Sequence, residues 1–377
     1  MSKQYSRFIT ILFCAVLGVF FLAVLLTPKR DFSPAENRYL QTFPKFSADS
    51  LLSGKFMSQF ETFITDQFPG RDGWVGAKAS MERMSGKKEN NGVYFCAQDT
   101  LIARLDEPDE ERLSANLGYV QTLAEKAEIP VYFSLIPGAG HVWADRLPAN
   151  APSADQSALL IRAQQDTPAA RWIDLERVLI AHRDEDIFYR TDHHWTSLGA
   201  RYACQALVDA MGLPAPTDKA LFTKEGEVVS DSFYGTNWST SGVRWVSPDS
   251  IVRYADDAGV TVESYPNGTA EQGALYHPEK LEEKNKYPYF LGGNQPLCIL
   301  RNENRPNGPK VLIVRDSYSD TLAPMLIQSC GELHLFDVRY NLNSVAQYAA
   351  EHGIDAVLVL YSTANFVSEN NMFVLGR

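Results

Sequence analysis

The chain has few cysteines, and none of them lies close to another in the sequence. The five cysteines lie far apart, and none belongs to a Cys-x-x-Cys motif, so the sequence has no zinc or dithiol redox signature. They are also too sparse for the disulfide framework of a small secreted domain. We therefore expect buried free thiols at these positions: Cys14, Cys96, Cys204, Cys298 and Cys330.

Basic blocks and phosphate-binding glycine motifs are missing as well. The 377 residues carry 35 basic and 46 acidic side chains, which gives a net charge of −11. A chain of this charge without a basic patch is not expected to bind nucleic acid. It has no Walker A or G-x-G-x-x-G stretch, so no nucleotide cofactor is expected. At 45% apolar residues, it can build one large domain or two modest ones.

One long apolar run is present near the N-terminus. Residues 8–27, FITILFCAVLGVFFLAVLLT, contain no charge, and a helix of roughly 20 apolar residues spans a bilayer. Basic residues flank the run on both sides, so charge specifies its orientation only weakly. Because the run lacks a small-x-small exit, an uncleaved anchor is favoured over a cleaved signal peptide. We expect a single-pass membrane protein, with a cytoplasmic stub and anchor in residues 1–30 and an extracytoplasmic C-terminal domain.

Hydrophobic patterning predicts an α/β fold for most of the chain. Residues 31–110 indicate helices followed by a short hairpin, and residues 111–377 alternate amphipathic helices with fully apolar strands. Such alternation is typical of a parallel sheet with helices on both faces. Residues 215–310 are rich in Gly, Asn, Pro and Tyr, which favours a β-rich insertion within the sheet domain.

Two stretches place reactive side chains where strands of such a sheet end. Asp192-His193-His194-Trp195 precedes a predicted helix, and Ser317 follows the apolar strand of VLIVRDSYSD. Serine becomes a nucleophile when histidine removes its proton, and a carboxylate orients the imidazole. Backbone N–H groups at a helix N-terminus would stabilise an oxyanion beside Ser317. These residues favour a triad of serine, one of the two histidines, and aspartate.

Other interpretations of the same residues stay open on the pattern alone. Ser317 is a suitable helix N-cap, and Asp192 is a suitable turn residue before a helix that Thr196 or Ser197 caps. A metal site on Asp192, His193 and His194 is disfavoured, because no third ligand is evident and adjacent side chains diverge in most backbones. We therefore expect no bound metal.

The stretches TDHHWT and VRDSYSD resemble the DHHW family, which takes its name from this tetrapeptide. That family in turn resembles the SGNH-hydrolase-like O-acetyltransferases of alginate biosynthesis. ENRYLQTFPKFS, NGVY, FYGT and FLGGNQP are similar to further stretches of the family. The resemblance implies an SGNH-hydrolase-like parallel sheet flanked by helices, in which Ser317 is the nucleophile, His194 the general base and acid, and Asp192 the residue that orients His194. One departure is Arg315, where related enzymes more often have glycine.

Four further residues are candidates for contacts with the substrate or an oxyanion: His193, Asn294, Arg339 and Tyr318. His193 occupies the variable position of Asp-x-His-Trp. The Asn294 amide can donate to an oxyanion, although asparagine is also a common turn residue. Arg339 follows a predicted strand, where a guanidinium can bind an acyl or sugar oxygen, and a structural role is the alternative. Trp195 is expected to pack.

Together these features predict a membrane-anchored serine O-acyltransferase, foremost an acetyltransferase, or an esterase that acts on cell-envelope polysaccharide. Acetyl-CoA is not available outside the cytoplasm, so a transferase would take its acyl group from a membrane-bound acyl-donor protein. No cofactor is implied. The alternative is a non-catalytic protein with the same fold that binds glycan or assists envelope assembly.

Overall fold

The computed structural model describes residues 3–377, which form two compact units. The N-terminal unit runs to Lys87 and includes Ser239–Arg244. The sheet unit comprises Lys88–Trp238 and Trp245–Arg377. The domain boundaries predicted from the sequence, near residues 30 and 110, stay a prediction.

Helices dominate the N-terminal unit. Its elements are α1 (Lys3–Leu26), β1 (Phe32–Ser33), β2 (Arg38–Tyr39), α2 (Ala48–Leu52), α3 (Lys55–Asp66) and α4 (Arg71–Met84). Helix α1 has 24 residues, which is about 36 Å at the usual rise per residue. Within residues 3–377 it is the one helix that is long and apolar enough to cross a membrane.

A cluster of ion pairs joins the β1–β2 ribbon to α3. The Asp66 carboxylate accepts a hydrogen bond from Arg38 Nη2 at 2.6 Å and another from the Gln41 backbone N–H at 2.8 Å. Glu36 bridges Arg38 and Arg71. The hydrogen bond from Arg38 lowers the pKa of Asp66 against the opposing effect of burial. The ribbon is therefore held on α3 by paired charges.

The sheet unit alternates strands and helices along the chain. Its first half contains β3 (Glu89–Asn90), β4 (Val93–Cys96), β5 (Thr100–Ala103), α5 (Glu110–Lys126), β6 (Val131–Ile136), α6 (Ala139–Val142), α7 (Gln156–Asp166), β7 (Arg171–Trp172), α8 (Leu175–Ala181) and α9 (Ser197–Met211). Next come β8 (Glu227–Phe233), α10 (Thr236–Ser241), β9 (Asp249–Arg253), β10 (Val260–Ser264), β11 (Glu271–Gly273) and β12 (Leu297–Asn302). The last elements are β13 (Lys310–Arg315), α11 (Ser319–Leu326), β14 (Glu332–Phe336), α12 (Val345–His352), β15 (Ala356–Ser362) and α13 (Thr363–Ser368).

An eight-stranded sheet with the order β11-β10-β12-β14-β13-β15-β6-β7 forms the centre of this unit. Strands β14, β13, β15, β6 and β7 are parallel, and β12, β10 and β11 continue the sheet with antiparallel pairings. The predicted fold class, an SGNH-hydrolase-like parallel sheet flanked by helices, is confirmed. Three strands of the predicted β-rich insertion belong to the central sheet itself, because β12 pairs with β14 in a regular register.

Side chains of the central strands alternate between two apolar layers. In β13, Val311 and Ile313 pack into the layer beneath α8, α9 and α11, whereas Leu312 and Val314 pack into the layer beneath α5, α7, α12 and α13. All four side chains are fully buried. Because successive strand residues point to opposite faces, a continuous apolar run is what a sheet covered on both sides requires.

Local signals place several boundaries. Thr196 caps α9 by accepting a hydrogen bond from the Gly199 N–H, and Gly212 ends this helix in the left-handed region with φ +64°, which glycine adopts readily. Strand β7 has only two residues, and Asp174 caps α8 two residues after the strand ends. All five cysteines are free thiols; Cys204, Cys298 and Cys330 are buried, whereas Cys96 is half-buried and Cys14 is exposed.

Candidate active site

Two loops at the carboxyl edge of the parallel strands form the site. Strand β13 ends at Arg315, and Ser317 lies two residues later and two residues before α11 begins at Ser319. The segment Asp192–Trp195 immediately precedes Thr196, the N-cap of α9. Helices α9 and α11 pack on the same face of the sheet, so their N-terminal loops meet at its edge. Open α/β sheets place functional groups at this edge.

Ser317, His194 and Asp192 form one continuous hydrogen-bonded chain. His194 Nε2 lies 2.7 Å from Ser317 Oγ, and His194 Nδ1 lies 2.5 Å from Asp192 Oδ1. The three residues are between 3% and 8% exposed. With Nδ1–H donating to the carboxylate, Nε2 is left as the acceptor for the Ser317 hydroxyl proton. The Ser317 side chain therefore contacts His194 and does not cap α11.

Hydrogen bonds to both oxygens of the Asp192 carboxylate favour its ionised form. Oδ1 accepts hydrogen bonds from the His194 backbone N–H and ring, while Oδ2 accepts from Thr236 N at 2.7 Å and Thr236 Oγ1 at 3.0 Å. Burial alone would raise the pKa of Asp192, but attraction from His193 and His194 and the hydrogen bonds outweigh burial and lower the pKa. An ionised Asp192 stabilises the imidazolium that forms when His194 takes a proton.

Gly235 allows the Thr236 segment to approach Asp192. A Cβ atom added at Gly235 would lie 2.2 Å from both Cβ and Oδ2 of Asp192. No real side chain tolerates such a distance, so position 235 requires glycine for close approach.

Aromatic side chains fix the orientation of the His194 ring. Tyr287 stacks on the ring with centroids 3.8 Å apart and an interplanar angle of 11°, and its hydroxyl donates to the Ser317 carbonyl at 2.8 Å. Trp195 is fully buried and donates from Nε1 to the Tyr318 carbonyl at 2.9 Å. Both contacts tie the histidine loop to the serine loop.

The loop that carries Ser317 is braced by Asp316. Its carboxylate accepts hydrogen bonds from the Tyr318 N–H at 3.0 Å, from Ser362 N and Oγ at 2.9 and 2.7 Å, and from Asn365 Nδ2 at 2.8 Å. The Ser317 backbone N–H has no hydrogen-bond partner among residues 3–377. This amide is positioned to donate to an anionic oxygen next to Ser317 Oγ.

Two of the further predicted residues flank the triad. His193 lies beside His194 with ring centroids 3.8 Å apart, and its Nδ1 is 2.6 Å from Thr236 Oγ1. Partial burial and repulsion by His194 lower the pKa of His193 to about 4, so its half-exposed ring is neutral at pH 7. Tyr318 has both polar groups engaged, the hydroxyl with the His193 carbonyl and the amide with Asp316. The contact of Tyr318 with the substrate stays a prediction.

Asn294 and Arg339 lie together on the side of the site that faces β14. Asn294 Oδ1 accepts hydrogen bonds from Arg315 Nη1 at 3.4 Å and Arg339 Nη2 at 3.1 Å, which leaves its NH₂ group as a free donor. Arg339 forms a bidentate pair with Asp337 and stays 27% exposed. Arg315, which stands where related enzymes more often have glycine, is fully buried and pairs with Asp320 at 2.6 Å. Burial raises the pKa of Asp320 to about 6 despite that pairing.

Asp192, His193 and His194 also satisfy the distance criterion for a metal site. One ligand atom from each lies within 4.8 Å of the others. Nδ1 of each histidine already has an oxygen partner, and Nε2 of His194 contacts Ser317. The hydrogen-bonded chain of Ser317, His194 and Asp192 explains the contacts of His194. In that chain, the two His194 ring nitrogens have the roles that proton transfer requires.

Sequence reasoning did not find the residues that support the triad: Gly235, Thr236, Tyr287, Asp316, Ser362 and Asn365. Gly235 and Thr236 belong to the FYGT stretch, a short motif whose structural purpose is not evident from the sequence. Tyr287, Ser362 and Asn365 give no local signal, because they come from separate segments that meet only in the folded sheet.

A family profile described as DHHW protein matches residues 36–112 and 106–335. The chain belongs to the DHHW family. A crystal structure of a DHHW family protein from Eubacterium siraeum shares the fold, with a TM-score of 0.66, 24% identity, and coverage of 76% of this chain and 95% of that one. PatB1 from Bacillus cereus, solved with a sulfonyl adduct, matches with a TM-score of 0.61, 19% identity, and coverage of 76% and 98%.

One curated relative is similar in sequence. A probable alginate O-acetylase, AlgJ of Pseudomonas syringae pv. tomato, is 25% identical over 193 residues, which are 48% of this chain and 49% of the relative. The chain thus spans about half the length of that relative.

Proposed function

We propose that this DHHW protein is a serine O-acyltransferase or esterase that acts on cell-envelope polysaccharide, with Ser317, His194 and Asp192 as its catalytic triad. The observation that carries the proposal is the pair of short contacts on His194, 2.7 Å to Ser317 Oγ and 2.5 Å to Asp192 Oδ1. A serine used only as a helix cap would have no reason to face a buried histidine that is oriented by an ionised carboxylate.

The reaction follows from where the protons can go. Ser317 Oγ attacks the carbonyl carbon of an acyl ester, and His194 Nε2 takes the hydroxyl proton. The tetrahedral intermediate collapses, the donor's ester bond breaks, and His194 returns that proton to the leaving oxygen. A sugar hydroxyl, or water, then gives its proton to His194 and attacks the acyl-serine. When the second intermediate collapses, the bond from Ser317 Oγ to the acyl carbon breaks and His194 returns the proton to Oγ, which releases the new ester, or the free acid, and restores both residues.

The oxyanion of each intermediate would be stabilised by two donors. The Ser317 backbone N–H has no partner within the described residues, and the Asn294 NH₂ group is free while its oxygen is fixed by Arg315 and Arg339. Preorganised donors of this kind are worth roughly 3–4 kcal/mol each in transition-state stabilisation. His193 and Arg339, both partly exposed beside the site, are assigned to the substrate.

A depression lined in part by the residues that follow Arg339 in the sequence supports a glycan as the acyl acceptor. It has a volume of about 590 Å³, lies where strand β14 ends and β12 begins, and is lined by Tyr265, Asn267, Tyr340, Asn341 and Asn343 among others. Tyr340 is 56% exposed there. An exposed aromatic ring among amide side chains suits a sugar, which presents apolar C–H faces and hydroxyl groups.

The relatives and the apolar helix α1 support the remaining parts of the proposal. One relative is named as an alginate O-acetylase, which favours O-acylation of a polysaccharide. We further propose that α1 spans the membrane and that the sheet unit lies on its extracytoplasmic side, where acetyl-CoA is not available. A membrane-bound acyl-donor protein then replaces acetyl-CoA.

Covalent labelling of Ser317 tests the proposal directly. We expect the purified full chain to hydrolyse p-nitrophenyl acetate and to gain one phenylmethylsulfonyl group, because sulfonyl fluorides react with activated serine hydroxyls. Peptide mass spectrometry should place the group on Ser317. Ser317→Ala should lose the label and lower kcat by about 10³-fold or more.

Ser319→Ala is the matched control, since Ser319 is buried two residues away and does not contact His194. It should keep both the label and the activity. If wild type and Ser317→Ala hydrolyse the ester equally, or if the label resides elsewhere, the catalytic assignment is wrong and the non-catalytic glycan-binding role takes its place.

A further inference from the structure

The N-terminal unit leaves an unusual number of large apolar side chains in solvent. Beyond α1, ten of them are exposed between residues 31 and 87, whereas the 290 residues from 88 onward expose only five. Seven of the ten form what we call the apolar face: Phe43, Phe46, Leu52, Met57, Trp74, Met81 and Met84. Large exposed apolar side chains that occur in such a group are typical of surfaces that bind something.

The apolar face is organised along two helices. On α4, Trp74, Met81 and Met84 are 56%, 70% and 86% exposed, and their spacing of seven and three residues places them on one side of the helix. On α3, Phe56 and Phe60 stack on each other and contact Phe46 and Phe43 edge to face.

The apolar face continues directly into α1. Phe20 stacks on Phe68 with centroids 5.5 Å apart and lies 6.5 Å from the Trp74 ring. Phe20 is six residues before the end of α1 at Leu26, which is about 9 Å along the axis. Tryptophan side chains are enriched at that level of a membrane, where the ring is half in lipid and half in water.

Charge separates this unit from the rest of the chain. Residues 27–87, which follow α1, carry 9 basic and 7 acidic side chains, a net charge of +2, while the 290 residues from 88 onward carry 24 and 39, a net charge of −15. A lipid surface that contains anionic headgroups attracts the first and repels the second. Lys78 lies within the exposed side of α4 and is 66% exposed, so its stem can lie along apolar surface while its amine reaches a headgroup.

We propose that the apolar face of the N-terminal unit lies on an anionic lipid bilayer, so that the chain is held by an interfacial surface as well as by α1. Amphipathic helices with aromatic and aliphatic residues on one side and basic residues at its border bind bilayers in this way. The face binds independently of whether Ser317 is catalytic. It explains why α3 and α4 expose residues that a water-soluble unit would bury.

Depth-dependent quenching tests the inference on the full chain in nanodiscs. In a background with Cys14 and Cys96 replaced by serine, an environment-sensitive fluorophore is attached to Leu52→Cys or to Met84→Cys. Nanodiscs contain phosphatidylcholine, phosphatidylglycerol and doxyl-labelled lipid. We expect strong quenching and a blue shift at both positions, and less of each when phosphatidylglycerol is omitted.

Two control positions make the result interpretable. Thr62→Cys lies on α3 but points away from the apolar face, and Ile161→Cys is 54% exposed in the sheet unit; both labels should be quenched several-fold less. Equal quenching at all four positions would overturn the inference. So would labels at 52 and 84 that stay in water until a cell-envelope protein extract is added, since the occupant would then be a protein. Unchanged thermal unfolding verifies that each variant is folded.

Discussion

The two units of this protein treat apolar residues in opposite ways. The sheet unit buries two layers of them against an eight-stranded sheet, whereas the helices of the N-terminal unit point Leu52, Trp74 and Met84 outward. The sheet unit therefore contains its own sources of stability and the proposed chemistry. The apolar side chains of the N-terminal unit would be covered by the lipid surface that we propose for it.

The sharpest contrast is between two buried aspartates. Asp192 and Asp66 side chains are each 3% exposed and both have a lowered pKa, but only Asp192 faces a histidine and serine. Asp192→Asn should lower kcat by about 10⁴-fold, because His194 loses its orienting charge. Asp66→Asn should leave kcat for p-nitrophenyl acetate unchanged. A similar loss in both variants would mean that Asp192 acts only on stability.

Core and surface leucines should differ by several kcal/mol. Leu358 is fully buried in β15, whereas Leu52 is 87% exposed. Leu358→Ala should lower the free energy of unfolding by about 2–5 kcal/mol through lost burial and a cavity. Leu52→Ala should change it by less than about 0.5 kcal/mol in detergent-free buffer. Guanidinium titrations measure both, and a large effect at Leu52 would show that the apolar face is occupied within the protein.

Acid should weaken the sheet unit first. Burial lowers the pKa of His334 from 6.5 to about 4, although Glu332 opposes this shift. Between pH 6.5 and 4, His334 is therefore protonated in the unfolded chain but neutral in the folded chain. The free energy of unfolding falls as the pH is lowered through that window. The loss is on the order of 3 kcal/mol. The N-terminal unit has no histidine between residues 3 and 87, and the contribution of Asp66 is lost only below about pH 4.

His334→Gln isolates this effect. Lowering the pH from 7 to 4.5 should reduce the unfolding free energy of the wild type more than that of His334→Gln. Denaturant titration at each pH measures both. A difference that does not change with pH would exclude His334 as the group responsible.

The smallest expected effect concerns one hydroxyl group. Thr236→Val keeps the shape and the backbone N–H but removes the hydrogen bond from Oγ1 to Asp192, which should lower kcat roughly 10-fold, or about 1.4 kcal/mol. Thr62→Val, the same change on exposed α3, should have no effect on kcat. Steady-state ester hydrolysis distinguishes the two outcomes.

The sequence allowed the parallel strands and the residues of the candidate triad to be predicted, because both have local signatures. Apolar runs such as that of β13 reveal strands covered on both faces, and the Asp-His-His-Trp motif next to a helix start is distinctive. The join between β12 and β14 escaped prediction, since antiparallel pairing across a long connection leaves no periodicity. The hydrogen bonds from Thr236 to Asp192 and from Ser362 to Asp316 also escaped prediction, because they join segments that are far apart in the sequence.

Tyr318 shows a different limit. Its position directly after Ser317 suggested a substrate contact, and nothing in the sequence indicates that its hydroxyl donates to the His193 carbonyl. Side chains next to a nucleophile are equally able to point inward or outward, and packing decides between them.

The central sheet cannot be completed until strand β15 has been synthesised. This strand is the last one in the chain, yet it lies between β13 and β6 and joins the two halves of the sheet. Its terminal residue, Ser362, also holds Asp316 beside Ser317. A nascent chain that has been synthesised only as far as residue 355 therefore has the apolar helix α1 and its histidine motif but cannot have a complete sheet. Premature stop codons and C-terminal proteolysis should be far more damaging here than changes of equal size in the middle of the chain.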